Sequence, residues 1–281
     1  MSQKPYACIP IRVIIAMYDL ITYELQAGVC RITLNRPQVY NALSQGLIRD
    51  ITAAIEAAGA DESARVVVLT GAGDKAFCSG ADLKEGFANA TAAGGSMQLG
   101  DTLRSGYHPM IKAIRNLPKP VIGRINGVAA GAGCSLALAC DVVICADDAY
   151  FSQIFVNIGL MPDAGSTFFL PRLIGPQKAF ELCSTGRRVY GPEAAQLGLV
   201  SRSVPATELD QAVDDVVGYY ATAPTKAIGA MKNVLNQSLY SDLDHQLEQE
   251  ADNQDALGRS QDAAEGIGAF LMKRKANFSG K

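Results

Sequence analysis

VIGRINGVAAGAGCSLALACDVVICADDAYFSQIFVNIGLMPDAGST, Val121–Thr167, is the stretch on which the fold turns. An apolar run leads into a loop of glycine and alanine. A helical segment of small residues and a second apolar run come next, and then a carboxylate, Asp163, in a Pro-Asp-Ala-Gly turn. Gly131 and Gly133 have no Cβ, so the chain can bend sharply there and bring its N–H groups close to a ligand. A helix starting at about Gly133 adds unpaired N–H groups and the positive end of its dipole. Such a loop suits an anion, or an oxygen that becomes one during a reaction. Close helix–strand packing also favours Gly and Ala, so on this stretch alone both readings stand open.

Upstream, Asp19–Leu25 and Gly28–Leu34 alternate in part and read as a β-hairpin. Asn35-Arg36-Pro37 is a turn, and Asn41–Ala58 has helical spacing through Leu43, Leu47, Ile48, Ile51 and Ile55. Arg65–Thr70 is a buried strand that runs into a second glycine loop, Gly71–Leu83, built like the central one. Residues 86–100 are small and polar and read as a mobile loop or poorly ordered helix covering a site. Thr102–Asn116 is a helix ended by Pro118 and Pro120. Downstream, Phe168–Ile174 and Pro176–Ser184 are helical around a break. Gly191-Pro192-Glu193 starts a helix that Gly198 stops, and Leu199–Val204 is a short strand. Helical patterns then cover 207–222, 224–238, 242–259 and 262–275. The order is α/β for about the first 200 residues, as in layered folds, and then all-helical. Residues 1–16 fit poorly with the strand pattern that begins at Asp19 and are expected to be an extension outside the fold, with Met17 an alternative start.

The chain has 281 residues, 48% hydrophobic and 19% charged, which describes an ordinary globular protein. A net charge of −3 makes no electrostatic case for nucleic acid or a membrane surface, and no apolar run is long enough for a membrane span. The seven cysteines lack the close paired spacing of a zinc site and read as buried free thiols of a reducing compartment. A cytoplasmic protein without metal is the expectation. With only His108 and His245, a multi-histidine metal site is disfavoured, and no G-x-S-x-G elbow is present. The run Gly131-Ala132-Gly133-Cys134-Ser135-Leu136 lacks the third glycine of a dinucleotide loop, and no Walker pattern occurs.

AFCSGADL (76–83), NGVAAGAGCSLALACD (126–141) and GLMPDAGST (159–167), in that order, resemble the crotonase, or enoyl-CoA hydratase/isomerase, superfamily. The resemblance spans about 17–281 and includes the ending AFLMKRKANF (269–278). It implies a ββα spiral core over 17–205 and a C-terminal helical trimerisation region over 206–281. It also implies a homotrimer or dimer of trimers acting on acyl-CoA thioesters, with coenzyme A as part of the substrate and no separate cofactor. By position, the N–H groups of Ala81 and Ala132 would form the oxyanion hole, which gives both glycine loops one purpose.

The departures narrow the chemistry. Where the hydratases of that family carry two glutamates, this chain has Ser135 and Phe155. Asp163 matches the acid that several isomerases of the superfamily use, and one carboxylate suffices for a 1,3-proton shift. GVAAGAG (127–133), GLMPDAGST and FLPRLIG (169–175) resemble the isomerases of ring-1,2-epoxyphenylacetyl-CoA. The alternatives are hydration, thioester hydrolysis, C–C cleavage, or a member that binds acyl-CoA without turnover. The resemblance also assigns substrate contacts to Arg36, Gln38, Ala42, Gly80, Asp82, Leu83, Gly131, Gly133, Ser135 and Phe155. It assigns Phe270 and Lys273 to the CoA of a neighbouring subunit, and Gln38 stands where a lysine is often found.

Overall fold

The computed structural model describes residues 18–92 and 99–281. The expected extension at 1–16, Met17 and Cys8, and part of the covering segment, 93–98, lie outside them.

The hairpin forms as β1 (Ile21–Gln26) and β2 (Val29–Leu34), paired antiparallel. The two residues between them, Ala27 and Gly28, both have positive φ, as a tight hairpin turn requires. β1 alternates buried and exposed because one face meets water. Helix α1 (Gln45–Ala60) starts later than its apolar spacing suggests. Tyr40 and Asn41 are left-handed, and Ser44 caps the helix by accepting from the Leu47 N–H. Leu47, Ile48, Ile51, Ala54, Ile55 and Ala58 then face the core.

β3 (Val66–Gly71) is buried along its whole length and leads into β4 (Ala76–Cys78). Helix α2 (Leu83–Ala92) covers the first part of the segment 86–100, expected to be a mobile loop or poorly ordered helix. The expected helix Thr102–Asn116 is three pieces: α3 (Leu99–Thr102), a π turn (Leu103–Tyr107) and α4 (His108–Asn116). The central stretch gives β5 (Val121–Ile125), β6 (Val128–Ala130), α5 (Ala132–Leu138), β7 (Val142–Ala146), β8 (Tyr150–Ser152) and a 3-10 turn (Ile154–Ile158). Helix α6 (Ser166–Thr185) is kinked at Gly175, at the expected break. β9 (Val189–Tyr190), α7 (Gly191–Leu197) and β10 (Arg202–Val204) complete the mixed part. The named elements after β10 are helical: a 3-10 turn, then α8 (Leu209–Thr222), α9 (Thr225–Ser238), α10 (Leu243–Leu257) and α11 (Gln261–Leu271). The last ends four residues before the sequence expectation.

Two sheets result, in the orders β1-β2-β3-β5-β7-β10 and β4-β6-β8-β9. From β3 to β8 the chain gives successive strands alternately to the large and the small sheet, with helices between, which is the ββα spiral. The inner pairings are parallel, so the glycine loops after β4 and β6 emerge side by side. Among the described residues, no helix is long and apolar enough to cross a membrane.

Candidate active site

The two glycine loops meet. Leu43 bridges to Ala81: its N–H donates to the Gly80 carbonyl at 2.8 Å, and its carbonyl accepts from the Asp82 N–H at 3.0 Å. The Ala81 N–H, between these bonds, has no acceptor among the described residues. Ala132 opens α5, so its N–H belongs to the first turn and lacks an intrahelical partner. Gly80 joins the two positions. Its φ is +104°, and a Cβ there would stand 2.9 Å from the Ala130 carbonyl oxygen and 3.5 Å from the Ala132 nitrogen. A side chain at 80 would therefore push the loops apart. Gly131 is also left-handed, with φ +52°, and faces the tip of the Phe155 ring at 3.8 Å from its ideal Cβ position. Gly133 packs so closely on β4 that a Cβ would collide with the Cys78 carbonyl. The buried ring of Phe155 lies against Gly131, the residue that precedes Ala132.

Asp163 sits in the turn before α6. The next two residues, Ala164 and Gly165, have φ of +48° and +90°, so the chain doubles back and starts α6 at Ser166. The Asp163 carbonyl accepts from the Ser166 N–H at 3.1 Å and from the Ser135 hydroxyl at 3.0 Å. Its carboxylate is treated differently: Oδ1 is buried and has no hydrogen-bond partner among the described residues. Burial alone raises this carboxyl from an ordinary 3.8 to about 6. The group is therefore ionised at neutral pH yet more basic than a solvated aspartate, which suits a general base.

The structure distributes the remaining expected residues over several roles. Arg36 turns its guanidinium onto protein partners, donating to the Ala42 carbonyl at 2.6 Å and to Asp82 Oδ2 at 2.9 Å. Burial opposes ionisation of Asp82. Arg36 and the N–H groups of Glu85 and Lys84 outweigh it and hold the carboxyl below its usual value. Arg36 and Asp82 thus brace the Ala81 loop with their side chains. Ser135 is fully buried, and its hydroxyl is turned to the Asp163 carbonyl and to Ser166. Ala42 is buried, and Leu83 stands half exposed at the start of α2. Gln38 is exposed beside a cavity of about 250 Å³ lined by Tyr40 and Lys75, among others. Phe270 is 82% exposed at the end of α11, and Lys273 lies three residues on, with φ +52°.

Three residues escaped the sequence reading. Asn41, buried and left-handed, accepts from the Arg36 N–H and donates to the carbonyls of Ala72 and Ala76, tying loop 35–42 to the loop after β3. Asparagine's tolerance of that conformation was the available signal. Lys75 brings a cation to the cavity where position 38 lacks one. Tyr107 ends the π turn and is buried. Burial first, and then the nearby charge of Asp163, push its phenol above the usual range. The neighbouring His108, the residue visible as chemistry in the sequence, is exposed. Among the described residues, no cluster of His, Cys, Asp and Glu could hold a metal.

The enoyl-CoA hydratase/isomerase family model matches residues 24–281. A Rhodobacter capsulatus protein named probable enoyl-CoA hydratase is 42% identical over 264 residues, covering 94% of this chain and 99% of its own. The 1,2-epoxyphenylacetyl-CoA isomerase of Escherichia coli is 37% identical over 265 residues, 94% of this chain and all of its own. A crystal structure of an enoyl-CoA hydratase/isomerase from Mycobacterium abscessus superposes with a TM-score of 0.86 at 35% identity, covering 93% of this chain and 100% of that one. The chain belongs to the enoyl-CoA hydratase/isomerase family.

Proposed function

We propose that this family member is an acyl-CoA isomerase in which Asp163 is the single acid/base. The carboxylate takes the α-proton of a 3-enoyl thioester. The N–H groups of Ala81 and Ala132 hold the thioester oxygen as it becomes a dienolate, and Asp163 returns the proton at C4. The product is the conjugated 2-enoyl thioester, and epoxide-to-oxepin rearrangement of an aromatic acyl group would use the same enolate. Each main-chain donor contributes about 10²–10³ in rate when aimed at the developing oxyanion.

The observation that carries the reading is the Asp163 carboxylate, whose Oδ1 is buried without a partner among the described residues, in a turn whose backbone is bonded to Ser135 of α5. Phe155 at the wall supports it, because an apolar ring excludes the water a hydratase must activate. The name of the Escherichia coli relative supports it too. The name of the Rhodobacter relative favours hydration as the second reading. We place the coenzyme A handle in the cavity near Gln38 and Lys75. Phe270 and Lys273 would come from a neighbouring subunit of a trimer or dimer of trimers, in the cytoplasm and with no separate cofactor.

The test is to incubate the protein with a 3-enoyl-CoA in D₂O and follow the acyl protons by NMR, with Asp163→Asn alongside. A conjugated 2-enoyl product that the variant does not form is the expected result. A 3-hydroxyacyl product would replace the proposal with hydration, and a near-fully active variant would remove Asp163 from the mechanism.

A further inference from the structure

Behind the Asp163 turn runs a buried chain of polar groups. Gln153, 2% exposed, donates from Nε2 to Ser166 Oγ at 2.8 Å. Ser166 and Ser135, both fully buried, share a 2.7 Å bond between their hydroxyls. Ser135 lies 3.0 Å from the Asp163 carbonyl and 3.4 Å from the Gly131 carbonyl. Each hydroxyl has one proton. If Ser135 spends its proton on a carbonyl, Ser166 must donate to Ser135, and the lone pair of Ser166 is then open to Gln153. The chain therefore has one direction, from amide to hydroxyl to hydroxyl to carbonyl, and successive bonds of this kind polarise one another.

Its end point matters. The Gly131 carbonyl and the Ala132 N–H belong to one peptide unit. Ser135 is thus a side chain in reach of both the peptide that presents the oxyanion donor and the backbone of the acid. Nothing in this chain of hydrogen bonds touches the Asp163 carboxylate.

We propose that Gln153, Ser166 and Ser135 are positioning residues that hold Asp163 in register with the Gly131–Ala132 peptide while leaving its carboxylate free to move. This rests on the isomerase reading for its consequence in rate, although the register itself does not. A carboxyl that must collect a proton at one carbon and deliver it two atoms away needs a fixed root and an untethered head. Two donors on its carbonyl and none on its buried Oδ1 provide that combination.

The test uses Ser135→Ala, Ser166→Ala and Gln153→Met in the full-length protein, with two measurements. Steady-state kinetics on a 3-enoyl-CoA should show kcat reduced by about 10- to 100-fold with KM changed by less than about threefold, the signature of a misplaced base. Isotope-edited infrared titration of Asp163, with Asp163→Asn subtracted, should show the carboxyl midpoint moving down towards that of a solvated aspartate as the turn loosens. Ser135→Ala/Ser166→Ala should be no worse than Ser135→Ala, because both break one chain. Ser135→Cys keeps the side-chain shape with a somewhat larger atom and a weaker donor, and it reads the same loss should the alanine variant not fold. Folded variants with unchanged kcat and midpoint would overturn the proposal, even with Asp163→Asn dead. An active Asp163→Asn, or a wild type without isomerisation, would sink the isomerase reading instead, and the infrared midpoint would still decide whether the chain holds the acid.

Discussion

Asp163→Asn should remove isomerisation and yet make the protein harder to unfold at pH 8. The Asp163 carboxyl is raised from 3.8 to about 6 by burial. A raised carboxyl pKa means that the folded state holds the proton more tightly than the unfolded state. The stabilising contribution is therefore complete below about 3.8 and is lost as pH rises through about 6. At about 1.4 kcal/mol per tenfold, ionised Asp163 costs the fold at most about 3 kcal/mol at pH 8, and about 1 kcal/mol at pH 4.5. Asparagine keeps the shape without the charge, so the variant should gain about 1–3 kcal/mol at pH 8, and most of that gain should fade by pH 4.5. Urea unfolding followed by circular dichroism at both pH values measures it. Protein concentration must be held fixed, because any subunit association adds to apparent stability. A variant no more stable than wild type at pH 8, or one whose gain is the same at pH 4.5, would show that the carboxylate is not desolvated in the folded protein. The account of its basicity would fall with that result.

Ala132→Gly should keep most of the activity because the donor is a main-chain N–H, whereas Ala132→Pro, which removes that N–H, should lose about 10²-fold or more in kcat; equal rates for both would exclude Ala132 as a donor. The pH profile of kcat/KM should rise with pH and level off above about 6, since the base form of Asp163 in the free enzyme is required; a profile flat between pH 5 and 8 would assign the base elsewhere.

The parts of the site built from local sequence were legible. Glycine after a short apolar run gives a loop that can turn left-handed, and both loops appear where AFCSGADL and NGVAAGAG stand. The break at Gly175 and the helix start at Gly191-Pro192 were readable for the same local reasons. What could not be read was contact between distant residues. The resemblance puts Ser135 among the substrate contacts, and only the structure shows its hydroxyl bonded to Ser166, 31 positions away. Arg36, another contact that the resemblance assigns, is paired with Asp82, 46 positions on, which spacing could not show. Helical periodicity also could not mark the π turn at Leu103–Tyr107, since one extra residue per turn leaves the apolar spacing on either side intact, yet it is at this turn that the buried Tyr107 meets the charge of Asp163.

The residue at 155 bears on why a single carboxylate is enough. A second carboxylate at the wall would place a like charge in the same low-dielectric space and drive one of the two carboxyls towards its neutral form. That arrangement serves chemistry in which one group holds a proton while the other takes one, as activation of water against an alkene requires. A 1,3-shift asks for the opposite: one group that is empty at the start, full in the middle and empty at the end. Phe155, buried against Gly131, puts an uncharged, apolar ring at that position. The desolvation that remains raises Asp163 without a like-charged partner, to a value near which it can both take and release a proton at neutral pH. In the proposed isomerase mechanism the glutamate-to-phenylalanine departure would leave Asp163 as the one carboxylate, on a turn that the left-handed Ala164 helps to fold back.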